Sequence, residues 1–220
     1  MRGTHWAKLM KYSARRLTLT AATLFVAVST WAQTTAFSRV RVVDGPVLEY
    51  PAHWKIADEA SVQNRVHGAQ AIADAANVDV TRFQKRSRVI IESQPFPISA
   101  QIHASIVTPQ EFTQDDLKVT TADDLRQLKV EFETNFRKMS ASSMVKLSEV
   151  GEVRVEKVAG RLALVIPYTR YTTADPEIWH VEQLKIPFEN RILSMTVSYQ
   201  SSQAAMMKPI LERVKRTLAF

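Results

Sequence analysis

Apolar residues recur at intervals of three or four in several stretches of the chain, and this spacing predicts three helices. The clearest is predicted over 123–139, with Thr121 and Asp124 placed to cap its first turn. A second helix is predicted over 57–76, and a third begins near Ser202 and runs towards the C-terminus. The apolar stripe of the clearest helix consists of Leu125, Leu128, Phe132, Phe136 and Met139.

Strict alternation of apolar and polar residues predicts strands, most clearly over 191–199. Such alternation is typical of an antiparallel sheet with one covered face and one wetter face. A partner strand is predicted over 178–186, joined to the first through a turn at 187–190. Another strand over 162–171 contains Pro167, for which we expect a bulge or an edge position. The covered face of 191–199 carries Leu193, Met195, Val197 and Tyr199, and the wetter face carries Ser194, Thr196 and Ser198.

The order of these elements predicts an α+β fold, in which helices pack on an antiparallel sheet. Residues 33–220 are expected to form a single globular domain, because a chain of this length buries a core without a disulfide or a metal. The sequence contains no cysteine. This excludes a disulfide, a thiol nucleophile and a lipid-modified N-terminal cysteine.

The first 32 residues have the pattern of a secretory signal peptide. Basic residues precede an apolar run over 17–28, which is short for a membrane span, and small residues follow it. Cleavage is expected after Ala32, with Ala36 as the second choice, and translation starts at Met1 or Met10. An uncleaved membrane anchor is the alternative. A cleaved leader predicts a periplasmic or secreted protein without stable membrane insertion.

The net charge of +7 belongs mainly to this leader, which contains five basic residues and no acidic one. The remaining residues hold 24 basic and 22 acidic side chains, a net charge of +2. A basic surface of the kind that binds nucleic acid is therefore not expected in the mature domain. Nucleic acid is excluded as a partner on this ground.

Several short motifs occur in an order that resembles the PsbP-like family, named after an extrinsic subunit of the oxygen-evolving photosystem. Tyr50-Pro51 with Trp54 comes first, and the predicted helix over 125–139 leads into 148–153. Gly160-Arg161 then opens a strand that ends at 168–171, and an amphipathic helix closes the chain. The resemblance covers about residues 40–220.

This resemblance implies an α/β/α sandwich with a central antiparallel sheet flanked by helices. Most members of the family are adaptors or assembly factors rather than enzymes, and they share no catalytic residue set. No residue role is therefore carried over to this chain. The helix predicted over 57–76 is an addition to the simple family pattern.

Familiar catalytic and cofactor motifs are missing from the sequence. There is no nucleophile elbow, no P-loop and no dinucleotide fingerprint, and the five histidines form no local metal-binding pair. We therefore expect no cofactor, no metal and no assignable catalytic residue.

His180 and Glu182 form the strongest candidate for a binding surface. Residues two apart on a strand share a face. Pairing Ile186 with Arg191 across the turn would place Leu184, Met195 and Val197 on that face. A register shifted by one residue would place Met195 and Val197 on the opposite face. The alternative is a pair of solvated side chains on an open face.

Arg170, Tyr171 and Trp179 extend this candidate surface around the loop between two strands, because arginine and aromatic residues are typical anchors of protein interfaces. Core packing of the aromatic rings is the alternative. Trp54 is expected in the core. The basic run of Arg82, Lys85, Arg86 and Arg88 is expected to be solvated, with lipid headgroups or an acidic partner as alternatives.

These observations predict an exported, non-catalytic binding or assembly protein of the bacterial envelope, with another envelope protein as its partner. One alternative is an envelope enzyme, for which His180, Glu182 or His53 would meet another polar group in a deep pocket. A second alternative is a periplasmic immunity protein that blocks a delivered toxin.

Overall fold

A computed structural model of the chain describes residues 36–75, 84–141 and 143–220. The expected leader therefore lies outside the described residues. Within the described ranges, no helix is both long and apolar enough to cross a membrane.

Within the described ranges, eight strands form one antiparallel sheet, and two more form a separate hairpin. The hairpin consists of β1 (Phe37–Arg41) and β2 (Val47–Pro51). The sheet strands are β3 (Lys55–Ile56), β4 (Gln84–Glu92), β5 (Ala100–Thr108), β6 (Val145–Val150), β7 (Arg154–Val158), β8 (Arg161–Thr172), β9 (Trp179–Phe188) and β10 (Arg191–Gln200). The order across the sheet is β3-β4-β5-β10-β9-β8-β6, and β7 also pairs with β8.

Helices lie on both sides of this sheet. The described helices are α1 (Glu59–Ala75), α2 (Gln114–Val119), α3 (Ala122–Ala141) and α4 (Ala204–Arg216), the last preceded by a 3₁₀ turn at Ser201–Gln203. One apolar cluster joins α4 and the β1–β2 hairpin to one face, through residues such as Leu48, Leu193 and Leu211. A second cluster joins α2 and α3 to the other face, through Leu117, Leu164 and their neighbours. These layers confirm the predicted α/β/α sandwich.

The β9–β10 hairpin differs in register from the prediction. Ile186 pairs with Leu193 instead of Arg191, because both strands extend further and a tight turn at 189–190 joins them. Glu189 adopts a positive φ of 50° in this turn. The shift equals two residues, and side chains alternate with a period of two. The face assigned to each side chain is therefore unchanged.

A bulge does face Pro167, because between the pairs Val150–Tyr168 and Arg154–Val165 three residues of the neighbouring strand lie opposite two residues of β8. Pro167 is not at an edge, and that alternative is wrong. It lies inside β8 and pairs with Glu182 of β9 without a register shift. Its carbonyl accepts a hydrogen bond from the Gly151 N–H at 2.8 Å on the opposite side. Gly151 lies between β6 and β7, where the strand next to β8 is interrupted. The missing N–H of proline thus points at a gap in the hydrogen-bond ladder, where it costs little.

The α3 capping box is present as predicted. The Thr121 N–H donates to Asp124 Oδ2 at 2.9 Å, and the Asp124 N–H donates to Thr121 Oγ1 at 3.2 Å. The Thr121 hydroxyl also donates to Asp124 Oδ2 at 2.7 Å, and this bond, followed by the one from the Thr121 N–H, lowers the pKa of the Asp124 carboxyl. None of the α3 side chains is fully buried, however, so its apolar stripe lies against the edge of the second cluster.

The short helix α2 was not predicted, because six residues are too few to show a periodic pattern. It has its own capping box between Thr113 and Asp116. Gln114 then attaches it to the sheet, since its amide donates to the Leu162 and Pro187 carbonyls at 2.9 and 2.8 Å. Its side-chain oxygen also accepts from the Leu162 N–H.

Two smaller differences concern β4 and α4. The strand predicted from Val89 begins at Gln84, so the basic run is partly strand. Pro209 lies in the second turn of α4, whereas proline is best tolerated in the first turn of a helix. Its ring is exposed to solvent.

Candidate functional site

A groove of about 320 Å³ lies between α4 and the sheet, and we call it the α4 groove. Strand β9 supplies His180 and Glu182 on its α4-facing side, directly opposite Tyr199 and Val197 of β10. Helix α4 forms the other wall. The α4 groove is lined by Glu149, Gly151, Pro167, Tyr168, Thr169, His180, Val181, Glu182, Val197, Tyr199, Lys208, Leu211 and Glu212.

Glu182 anchors a network of charged residues at the floor of this groove. Its Oε1 accepts from the Arg154 guanidinium at 2.8 Å, and its Oε2 accepts from Lys215 Nζ at 2.6 Å. Lys215 also reaches Glu212 at 2.8 Å, and Arg154 also reaches Glu156 at 2.8 Å. Strand β9, strand β7 and helix α4 are therefore joined through one carboxylate.

Burial and ion pairing act in opposite directions on these groups. Burial alone would raise the pKa of Glu182, but the hydrogen bonds from Lys215 and Arg154 outweigh it and hold that pKa below its usual value. Burial alone would lower the pKa of Lys215, whose side chain is only 6% exposed, yet Glu182 and Glu212 raise it. Both groups are therefore charged at neutral pH.

His180 forms the end of the groove nearest the start of α4. Its Nε2 lies 2.8 Å from Ser201 Oγ, and its ring stacks on Tyr199 with 5.2 Å between centroids. Burial, followed by the charges of Glu182 and Glu212, raises the pKa of Tyr199. The tyrosine is therefore a neutral hydroxyl at physiological pH.

The lining combines apolar walls with charged positions at the mouth. Pro167, Val197 and Leu211 present apolar surface, whereas Glu149 and Lys208 are exposed and form no ion pair with a described residue. Within the described ranges, no group of three or more histidine or acidic side chains is arranged to hold a metal ion. Such a groove can bind a peptide segment whose apolar side chain fits between the walls and whose charged side chains pair with Glu149 and Lys208.

The structure separates the predicted binding surface into two parts. His180 and Glu182 lie in the α4 groove, with Leu184, Met195 and Val197 on the same face as expected. Arg170 pairs with Trp179 on the opposite face, and its guanidinium lies 5.6 Å from that ring.

Tyr171, the remaining member of the predicted surface, pairs with Lys146 near the end of β8 and is half-buried. His53 is exposed in the turn after β2 and does not line the groove.

Arg154, Ser201, Glu212 and Lys215 are residues of this site that sequence reasoning missed. Lys215 carried a usable signal, because it follows Leu211 by four positions and so falls on the apolar stripe of α4. A lysine at such a position predicts a buried acidic partner. The partner itself comes from a strand 33 residues away, which no local pattern indicates.

No protein-family model matches the sequence, and no curated protein matches it. Solved structures do show similarity. Cyanobacterial PsbP (CyanoP) from Synechocystis is 12% identical, with a TM-score of 0.49 over 89% of this chain and 99% of that one. LpqN of Mycobacterium tuberculosis, described as involved in cell envelope biogenesis, is 10% identical, with a TM-score of 0.42 over 84% and 90%.

A Pseudomonas aeruginosa protein of unknown function, PA94, is 14% identical, with a TM-score of 0.39 over 84% of this chain and 96% of that one. At these identities the likeness concerns the fold alone.

Proposed function

We propose that this chain is an exported, non-catalytic binding or assembly protein of the bacterial envelope, and that the α4 groove holds a segment of another envelope protein. Export is supported by the leader pattern over 1–32. The proposed partner segment carries an apolar side chain for the groove and charges that complement Glu149 and Lys208.

The observation that carries a binding function is the state of Glu182. A general base needs a carboxylate that can take up a proton near the working pH. Glu182 is instead held charged by Arg154 and Lys215, and both of its oxygens are occupied. The carboxylate therefore holds the groove in shape and leaves the rim residues to make contacts.

We test this proposal by photo-cross-linking in intact cells. A benzophenone amino acid at position 208, on the rim of the groove, should cross-link to a discrete envelope protein. The same amino acid at position 138, on α3 across the sheet, is the control, because Lys138 is also an exposed helical lysine. The additional substitution Glu149→Lys should lower the cross-linking yield at position 208 by about tenfold, because a tenfold loss of affinity corresponds to the loss of one charged contact.

The outcome that contradicts the proposal is an equal adduct pattern at positions 208 and 138, or a yield at 208 that is unaffected by Glu149→Lys. N-terminal sequencing of the same protein reports on export separately, with Gln33 expected as the first residue. A chain that retains its leader in the cytosol would remove the envelope assignment and leave the groove intact.

A second candidate function is an envelope hydrolase, and the contact between His180 Nε2 and Ser201 Oγ at 2.8 Å favours it. This distance equals the one expected between a serine nucleophile and the histidine that acts as its base. The nearby N–H groups are occupied, however, since Ser201 donates to the Ile178 carbonyl and Ser202 donates to Glu177. Neither can stabilise an oxyanion in this arrangement.

A fluorophosphonate probe distinguishes the two functions. The binding proposal predicts that the wild-type protein and the Ser201→Ala variant remain equally unlabelled, as judged by intact mass. Labelling of the wild type that disappears in Ser201→Ala would instead establish a reactive serine and favour the hydrolase.

A further inference from the structure

The face of the sheet opposite the α4 groove carries a second concave site, which we call the arginine trough. Two cavities of about 270 Å³ each adjoin there, and both are lined by His103 and Thr196. Arg88 lines the first cavity and Arg170 lines the second. The trough therefore runs diagonally across the sheet from β4 to β8.

The polar lining follows from the same alternation that builds the α4-facing core. Ser105 of β5 pairs with Ser194 of β10 on one side and with Arg88 of β4 on the other. His103 pairs with Thr196 in the next row on this face. Hydroxyl groups thus form a patch beside the Arg88 guanidinium.

This face is not the wetter surface that the alternation predicts. Ser105 and Ser194 are only 8% exposed, because α1 and α3 lie over this side of the sheet. The side chains of Ser105, Gln183, Ser194 and Thr196 make no hydrogen bond to any other residue within 36–75, 84–141 and 143–220. Buried polar groups usually find a hydrogen-bond partner, so a lining of this kind suits a polar ligand.

Arg88 provides the charge of the first cavity that has no acidic partner. It is half-buried, and burial lowers its pKa, yet no described residue gives it an ion pair or a hydrogen bond. The other arginine of its cavity, Arg65, is already paired with Glu92. Among the described residues that line either cavity there is no aspartate or glutamate. A half-buried guanidinium without an acidic partner is free to bind phosphate or carboxylate in a bidentate manner.

We propose that the arginine trough binds a small polyhydroxylated anion, a sugar that carries a phosphate or a carboxylate. Arg88 takes the anionic group, and the side chains of Ser105, Ser194, Thr196 and Gln183 take the ligand hydroxyls. This site lies on the other side of the sheet from the α4 groove, so it is independent of the function proposed above.

Isothermal titration of the mature protein with four probes tests the assignment. The probes are glucose 6-phosphate, glucuronate, glucose and inorganic phosphate. We expect both anionic sugars to bind more tightly than glucose or phosphate by about tenfold or more, because only they satisfy the guanidinium and the hydroxyl groups together. The ratio between glucose 6-phosphate and glucuronate distinguishes a phosphate from a carboxylate as the preferred group.

Variants then assign the binding to the trough. Arg88→Met should reduce affinity for the anionic sugars by about tenfold or more and abolish their advantage over glucose. Arg216→Met is the matched control, since Arg216 is exposed on α4 on the other side of the sheet. Thr196→Val removes only a hydroxyl and should weaken both anionic sugars while circular dichroism stays unchanged.

Two results would overturn the proposal. The first is equal binding of glucose and the anionic sugars, or no binding of any probe at millimolar concentration. The second is binding that survives both Arg88→Met and Thr196→Val, which would place the ligand elsewhere. If Arg88→Met fails to fold, Thr196→Val alone decides between these outcomes.

Discussion

Replacing Glu182 with glutamine is expected to lower the free energy of unfolding by about 3 kcal/mol, because it removes the charge that compensates a buried lysine. Lys215 would keep only Glu212, while its side chain remains 6% exposed. The glutamine has the same size, so the loss reports the charge rather than the packing. Urea unfolding followed by circular dichroism gives the difference.

Glu133→Gln provides the control for this variant. Glu133 pairs with Arg137 on α3 at 2.7 Å, but both side chains are exposed, so we expect a change of about 0.5 kcal/mol or less. The double variant Glu182→Gln with Lys215→Met should be more stable than Glu182→Gln alone, because the uncompensated cation is removed. Simple additivity of the two single changes would contradict the network described above.

The ion pair of Glu182 and Lys215 also predicts how the stability of the protein depends on pH. Folding lowers the pKa of Glu182 below its usual value of 4.5. Its contribution to the free energy of unfolding is therefore complete above pH 4.5 and is lost as the pH falls through the lower pKa of the folded state. The pKa of Lys215 is raised, so its contribution is complete below 10.5 and is lost only at more alkaline pH. The difference between wild type and Glu182→Gln should therefore be constant at neutral pH and shrink in acid.

Replacing Trp54 with alanine is expected to cost about 3 to 5 kcal/mol, because it leaves a cavity in the core on the α4 side of the sheet. Trp54 is 4% exposed and packs in the same cluster as Leu48 and Ile91. The indole lies at the turn between β2 and β3, in which the backbone N–H of residue 54 donates to the Pro51 carbonyl. Denaturant unfolding measures the loss.

Trp179→Ala is the matched comparison, since Trp179 is half-buried and its ring lies 5.6 Å from the Arg170 guanidinium, on the face of the sheet opposite α4. We expect a smaller loss there, about 1 to 2 kcal/mol, because less apolar surface leaves water on folding. Equal losses at positions 54 and 179 would contradict the assignment of Trp54 to the core.

The central sheet separates two sites of different chemistry. In the α4 groove, Arg154 and Lys215 are neutralised by acidic partners, so the charge of the site is internally balanced. In the arginine trough, Arg88 has no such partner among the described residues. A ligand of the groove is therefore selected by shape and rim charges, whereas a ligand of the trough must bring its own negative charge.

Local patterns were sufficient for most secondary structure. The stripe from Leu125 to Met139 predicted α3, and the alternation around Met195 predicted β10 and its two faces. A register shift of two residues at Ile186 left those faces unchanged, because side chains in a strand repeat every two positions. His180 and Glu182 were therefore assigned to the correct side of the sheet before their neighbours were known.

The sequence by itself determined the α+β class, the faces of the strands and one half of the α4 groove, because periodicity is a local property of the chain. Only the tertiary structure decided that Lys215 meets Glu182, that Pro167 points at the gap beside Gly151, and that Arg88 is half-buried. Each of these depends on which distant strand or helix becomes a neighbour. Such contacts form between residues far apart in the chain, where neither spacing nor composition specifies the partner.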